Sequence, residues 1–156
     1  MTNLCCKVLA ALSGRTLATA ESCTGGGIGA LLTGISGSSA IFKGGVISYC
    51  DEIKHRVLGV DDRLLSSEGA VSAAVAEAMA KGARNLLRAD VAVSVTGLAG
   101  PGGDDFGNPV GTVYIGYADD CVLLSKHFVF SGSREEVRTQ ATEEALKLIL
   151  HMNENR

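Results

Sequence analysis

A three-layer α/β/α sandwich around a mixed, mostly parallel sheet is the fold class this sequence predicts. Three observations carry it. Helical and strand-like periodicities alternate through the first two-thirds of the chain. Residues Val91 to Val95 read as an apolar strand of the kind buried on both faces. Two β-rich runs, Val110 to Tyr117 and Val122 to Phe130, follow with a short polar break between them, so this pair is expected to run antiparallel.

The elements follow in order. Leu4, Val8, Leu9 and Leu12 recur at helical spacing, predicting a helix over 3–13 that ends at Gly14. Residues 15–21 suit a short strand, 24–33 a helix of small residues, and 34–39 a turn. A second strand covers 42–50, after which Asp51 is expected to cap a helix running toward Leu58 and stopped by Gly59. The clearest helix is 71–88, with Ser72 as cap and Val75, Ala76, Met79, Ala83, Leu86 and Leu87 on one stripe. Ser133-Arg134-Glu135-Glu136 forms a capping box that opens a last helix to about Met152.

Composition narrows the function classes. The whole chain, 1–156, fits one domain, and 46% hydrophobic residues supply a core without disulfides or metal. A net charge of -3 with 4% aromatics leaves no basic stripe and no stacking platform, so no nucleic-acid partner is expected. Five cysteines in an odd set without C-x-x-C point to a reducing, cytoplasmic setting. Lys7 interrupts the only apolar stretch near the N-terminus, so no signal peptide is expected. No uncharged apolar run approaches the ~20 residues that span a bilayer, so no membrane partner is expected either. The small-residue face of helix 71–88 suggests a homo-oligomer, in the simplest case a dimer.

Three segments place polar residues after successive strands: Glu21-Ser22-Cys23-Thr24, Tyr49 to Lys54, and Thr96 to Gly103. If those strands are parallel, all three converge on one rim of the sheet, where open α/β folds bind ligands. Ser22 suits a helix cap as well as a nucleophile, and Thr24 is an equally good cap. Lys54, one turn into its helix, reads either as a solvated surface lysine or as a base. The helix dipole and desolvation would favour its neutral amine, while Asp51 and Glu52 would oppose them. Cys23 is a rival nucleophile, since thiols at helix N-termini ionise readily, but it is expected to serve as a small packing residue. Backbone N–H groups around Thr24, Gly25 and Gly26, together with Thr96 and the loop from Gly97, can stabilise an oxyanion. Arg134, beside Ser131 and Ser133, suits a phosphate or carboxylate. A competing motif is Gly25-x-Gly27-x-x-Ala30 with Asp51 after the next strand, the dinucleotide fingerprint, which predicts a nucleotide-binding module without amide hydrolysis.

The motifs T-A-E-S-C-T-G-G (19–26), G-S-S-A-I-F-K-G-G-V-I-S-Y (37–49), G-A-V-S (69–72), T-G-L-A-G-P-G-G (96–103), P-V-G-T-V-Y (109–114) and F-S-G-S-R-E-E-V-R (130–138) occur in this order. With them the chain resembles the C-terminal domain of the CinA (competence/damage-inducible) family, whose members include nicotinamide-nucleotide amidase. The resemblance implies hydrolysis of the carboxamide of nicotinamide mononucleotide, a small-molecule nucleotide substrate, with no cofactor and no metal. It places the family's serine on Ser22, its lysine on Lys54, its tyrosine on Tyr49, its loop hydroxyl on Thr96, and its arginine on Arg134 or Arg138. Tyr49 is then expected to bridge or orient the Ser–Lys pair.

Overall fold

Strand β1 (Leu17–Glu21) is buried at every residue because it pairs in parallel on both sides, with β2 (Phe42–Ile47) and with β3 (Val91–Gly97). The computed structural model describes residues 1–154. Strand β4 (Thr112–Ala118) pairs antiparallel with β3, and β5 (Leu123–Val129) pairs antiparallel with β4. The sheet order is β2-β1-β3-β4-β5, so β4 alone runs against the others and the sheet is mixed and mostly parallel as predicted.

Helices cover both faces. Helices α1 (Thr2–Ala11), α2 (Gly27–Thr33) and α6 (Arg134–Asn153) pack over one face, burying Val8, Leu12, Ile28, Leu32, Leu146 and Ile149. Helices α3 (Asp51–Leu58), α4 (Asp62–Glu68) and α5 (Ala73–Leu87) cover the other, with Leu58, Leu65, Val75 and Met79 in its core. Burying a side chain of that size stabilises by about 1.5–3 kcal/mol. Among the described residues, no helix is long and apolar enough to cross a membrane.

The two serine caps behave as their sequence context requires. Ser72 Oγ accepts from the Val75 N–H at 3.3 Å. Ser133 Oγ accepts from the Glu136 N–H while Glu136 accepts from the Ser133 N–H, a complete capping box. Other expectations shift. Asp51 is the first residue of α3 and Cys50 its cap, with no side-chain capping bond. Helix α2 starts at Gly27 because residues 22–26 form a turn, with Gly26 at φ 95 in the cap position. Helix α4, too short to show a period, was not foreseen. The small-residue face of α5 does not offer a subunit interface: Val75, Ala76, Met79, Ala80 and Ala83 are buried against the sheet, and on the same stripe only Leu86, in the helix's last turn, is 51% exposed.

Register sets up the rim. Glu21 is level with Ile47 on one side and Val95 on the other. The next residues, Ser22, Ser48 and Thr96, therefore emerge together at the carboxyl ends of three parallel strands.

Candidate active site

Two further backbone bonds continue the ladder past the strands. The Ser22 N–H donates to the Val95 carbonyl, and the Ser48 N–H to the Glu21 carbonyl, both at 2.9 Å. Three residues after β2 the chain turns into α3, whose first turn aims Lys54 back at the strand ends. Lys54 is 2% exposed and Ser22 8%. Lys54 Nζ donates to Ser22 Oγ at 3.1 Å and to the Ser48 carbonyl at 2.8 Å. Desolvation by burial lowers its pKa from the ordinary 10.5, against the opposing pull of Asp51. The buried alternative has therefore won over the surface lysine, and a hydroxyl stands in contact with an amine whose charged form burial disfavours.

This pair opens on a cleft of about 350 Å³ that Tyr49, Asp51, Thr96, Gly97 and Asp104 also line. A larger concavity of about 690 Å³ lies between α3, α4 and α5, but Ser22 and Lys54 are not part of it. Chemistry rather than size marks the site.

Several expected roles are reassigned by their partners. Thr24 does not cap α2; its hydroxyl donates to Glu21 Oε2 at 2.8 Å. Glu21, 1% exposed, also accepts from the Ile28 and Gly29 N–H groups at 3.1 and 3.0 Å. The start of α2 is thus occupied by the protein's own carboxylate, as the helix dipole favours. A dinucleotide pyrophosphate would meet that charge and find those amides taken, so the fingerprint at Gly25 to Ala30 loses its anion site. The sequence signal for Glu21 was an acid closing a strand just before a glycine turn. Cys23 is 5% exposed, and burial pushes its thiol up to about 11, in keeping with a packing residue and not with an activated nucleophile.

Tyr49, 62% exposed, accepts through its hydroxyl from Arg134 Nη2 at 2.8 Å, and that bond replaces the expected one to Ser22 or Lys54. Arg134 Nη1 donates to the Gly100 carbonyl at 2.7 Å, so this guanidinium joins two walls of the cleft's rim. The Thr96 hydroxyl donates to the Ala70 carbonyl at 2.8 Å, which ties the 69–72 segment to β3 and commits the proton that was to serve an oxyanion. Gly97 permits close packing: a Cβ there would lie 2.8 Å from the Thr112 carbonyl oxygen. Arg138 Nε and Nη2 donate to the carbonyls of Cys23 and Thr24 at 3.0 and 3.2 Å. Within that turn Gly25 holds φ 61, a conformation in which a side chain is strained.

Comparison with known proteins is consistent across sequence and structure. A family model described as the CinA C-terminal domain matches residues 2–153. A CinA-like protein of Thermosynechococcus vestitus is 53% identical over 138 residues, 86% of this chain and 33% of that protein. One from Mycolicibacterium gilvum is 49% identical over 144 residues, 92% of this chain and 34% of its own length. The chain therefore spans about a third of the length of these curated relatives. A solved CinA superfamily protein from Klebsiella pneumoniae superposes with a TM-score of 0.95 at 34% identity, covering 99% of this chain and 98% of the other. A competence/damage-inducible protein from Agrobacterium tumefaciens gives 0.93 at 36% identity, covering 97% and 94%.

Proposed function

We propose that this chain, which belongs to the CinA C-terminal domain family, is an amidase that hydrolyses the carboxamide of nicotinamide mononucleotide. The observation that carries the reading is the 3.1 Å contact between Ser22 Oγ and a buried Lys54 whose charged form is disfavoured. A serine hydroxyl is inert near neutral pH unless a base takes its proton, and a neutral amine at hydrogen-bonding distance is such a base.

In the proposed sequence, neutral Lys54 takes the Ser22 proton as Oγ bonds to the carboxamide carbon. The carbonyl π electrons move onto its oxygen. Collapse of that tetrahedral species breaks the C–N bond, and the nitrogen takes the proton from Lys54 to leave as ammonia. Water then gives a proton to Lys54 while its oxygen bonds to the acyl carbon, and Ser22 departs by recovering that proton. Arg134, on the rim at the first residue of α6, is the proposed ligand of the nucleotide phosphate. Tyr49 would steer Arg134 rather than the Ser–Lys pair, consistent with the 2.8 Å bond between them.

The test is ammonia release from nicotinamide mononucleotide by the wild-type chain and by Ser22→Ala. The variant is expected to lose at least about 10³-fold in kcat. Turnover that survives the substitution unchanged removes Ser22 as nucleophile.

A further inference from the structure

The turn that carries Ser22 is hydrogen-bonded almost throughout. The N–H groups of Ser22, Gly25, Gly27, Ile28, Gly29 and Ala30 each have an acceptor. Among the described residues the N–H groups of Cys23, Thr24 and Gly26 have no backbone or carboxylate acceptor; Cys23 and Thr24 are only 5% and 2% exposed, whereas Gly26 is half-buried. Orphaned backbone donors at buried residues are rare, and each carries a desolvation cost of about 1–3 kcal/mol unless something occupies it.

Arg138, 115 positions along the chain, holds this turn from the side of α6. Two donors of its planar fork grip two successive carbonyls, those of Cys23 and Thr24. In a trans peptide the C=O and the following N–H point in opposite directions. Gripping the Cys23 carbonyl therefore turns the Thr24 N–H away from α6, and gripping the Thr24 carbonyl does the same for the Gly25 N–H. The Gly25 N–H is already used, donating to the Ser22 carbonyl at 3.0 Å. That leaves Gly26, which is only half-buried, and the two buried donors, Thr24 and Cys23, the latter directly after the serine. The amide following a nucleophile on a strand-to-helix turn is where hydrolases of that architecture place an oxyanion donor.

We infer that Arg138 is a positioning residue that orients an oxyanion hole formed by the Cys23 and Thr24 N–H groups. This rests on the reading of Ser22 as nucleophile and goes beyond it in two ways. It names the two donors in place of Gly25 and Thr96, whose donors are committed elsewhere, and it removes Arg138 from the list of phosphate ligands.

The experiment uses a small fluorophosphonate, which bonds to Ser22 Oγ with loss of fluoride and leaves a phosphoryl oxygen where the oxyanion would sit. In amide NMR spectra of the labelled wild-type chain, the Cys23 and Thr24 N–H signals are expected to move downfield while Gly25 stays. Labelling of Arg138→Ala is expected to slow about a hundredfold, the scale of losing an oxyanion donor. Arg138→Lys, which keeps the charge but not the fork, is expected to recover less than about a tenth of the wild-type rate. In ammonia release, kcat should fall by the same factor for the mononucleotide and its dephosphorylated riboside, with KM within about twofold.

Shifts confined to Gly25 or Gly26, undiminished labelling of both variants, or a loss seen only in KM for the phosphorylated substrate would overturn the inference. So would a wild-type chain that is not labelled at Ser22. Labelling with the expected shifts but no ammonia release would leave the hole in place and refute the proposed substrate. Should Arg138→Ala not fold, the wild-type spectrum and Arg138→Lys decide.

Discussion

Two groups of buried polar side chains sit at opposite rims of the sheet, and they differ in how completely they are satisfied. At the amino end of β3 the Tyr117 hydroxyl donates to Asp119 Oδ2 at 2.9 Å and accepts from Asn153 Nδ2 at 3.2 Å. Asn153 also donates to the Ile149 carbonyl and accepts from Arg15, whose guanidinium lies 3.8 Å from Asp119. Asp119 Oδ1 accepts from the N–H groups of Cys121 and Val122. Burial pushes the Tyr117 phenol up to about 12, so it stays a neutral donor. At the carboxyl rim, by contrast, the Ser48 hydroxyl is fully buried without a partner, two amides beside Ser22 are unpaired, and Lys54 sits where its charge is disfavoured. A closed network stabilises and locks the α1–β1 connection, α6 and the β4–β5 hairpin together. An open one lowers stability and keeps hydrogen-bonding capacity free for a reacting group.

The largest expected effect tests the open cluster. Lys54→Met should cut ammonia release by about 10³-fold or more, as loss of a general base does. The same substitution should hold or raise Tm by about 2–4 °C, because it removes a disfavoured buried cation. The sign follows from the lowered pKa of Lys54. The penalty in the wild-type chain is complete below the folded pKa and fades as pH rises toward the unfolded value of about 10.4. Activity should rise with pH over the limb where Lys54 becomes neutral, with its midpoint below the ordinary 10.5. A limb at or above that value, or a Lys54→Met chain that unfolds earlier, would place Lys54 in the class of structural groups.

The converse substitution tests the closed cluster. Asp119→Ala should cost about 2–3 kcal/mol, since it strands the Tyr117 hydroxyl and two amides, and leave kcat within about twofold. Thermal unfolding and ammonia release on the same sample check both halves, and a chain that keeps its stability but loses turnover would erase the distinction between the rims. The smallest effect is expected at Cys23→Ala, which should keep kcat within about threefold, because a thiol pushed up to about 11 by burial is a packing group at neutral pH. Loss of activity there, with Ser22→Ala still active, would exchange the two roles.

Much of this was legible along the chain because it depends on neighbours a few positions apart. Helical stripes, the Ser72 and Ser133 caps, the Gly59 stop and the order of strands all follow from local backbone demands and from periods of 3.6 and 2. Those demands were sufficient for the sandwich and for the convergence of Ser22, Lys54 and Thr96 on one rim. Tertiary structure alone decided which of those residues is free to act. Lys54 reaches Ser22 across 32 positions and Arg138 reaches the nucleophile's turn across 115, distances set by strand register and helix packing. The same packing gave the Thr96 proton to Ala70, Tyr49 to Arg134 and the start of α2 to Glu21. A hydrogen-bonding group has a limited number of partners, and which ones it takes is a property of the folded neighbourhood rather than of the residue.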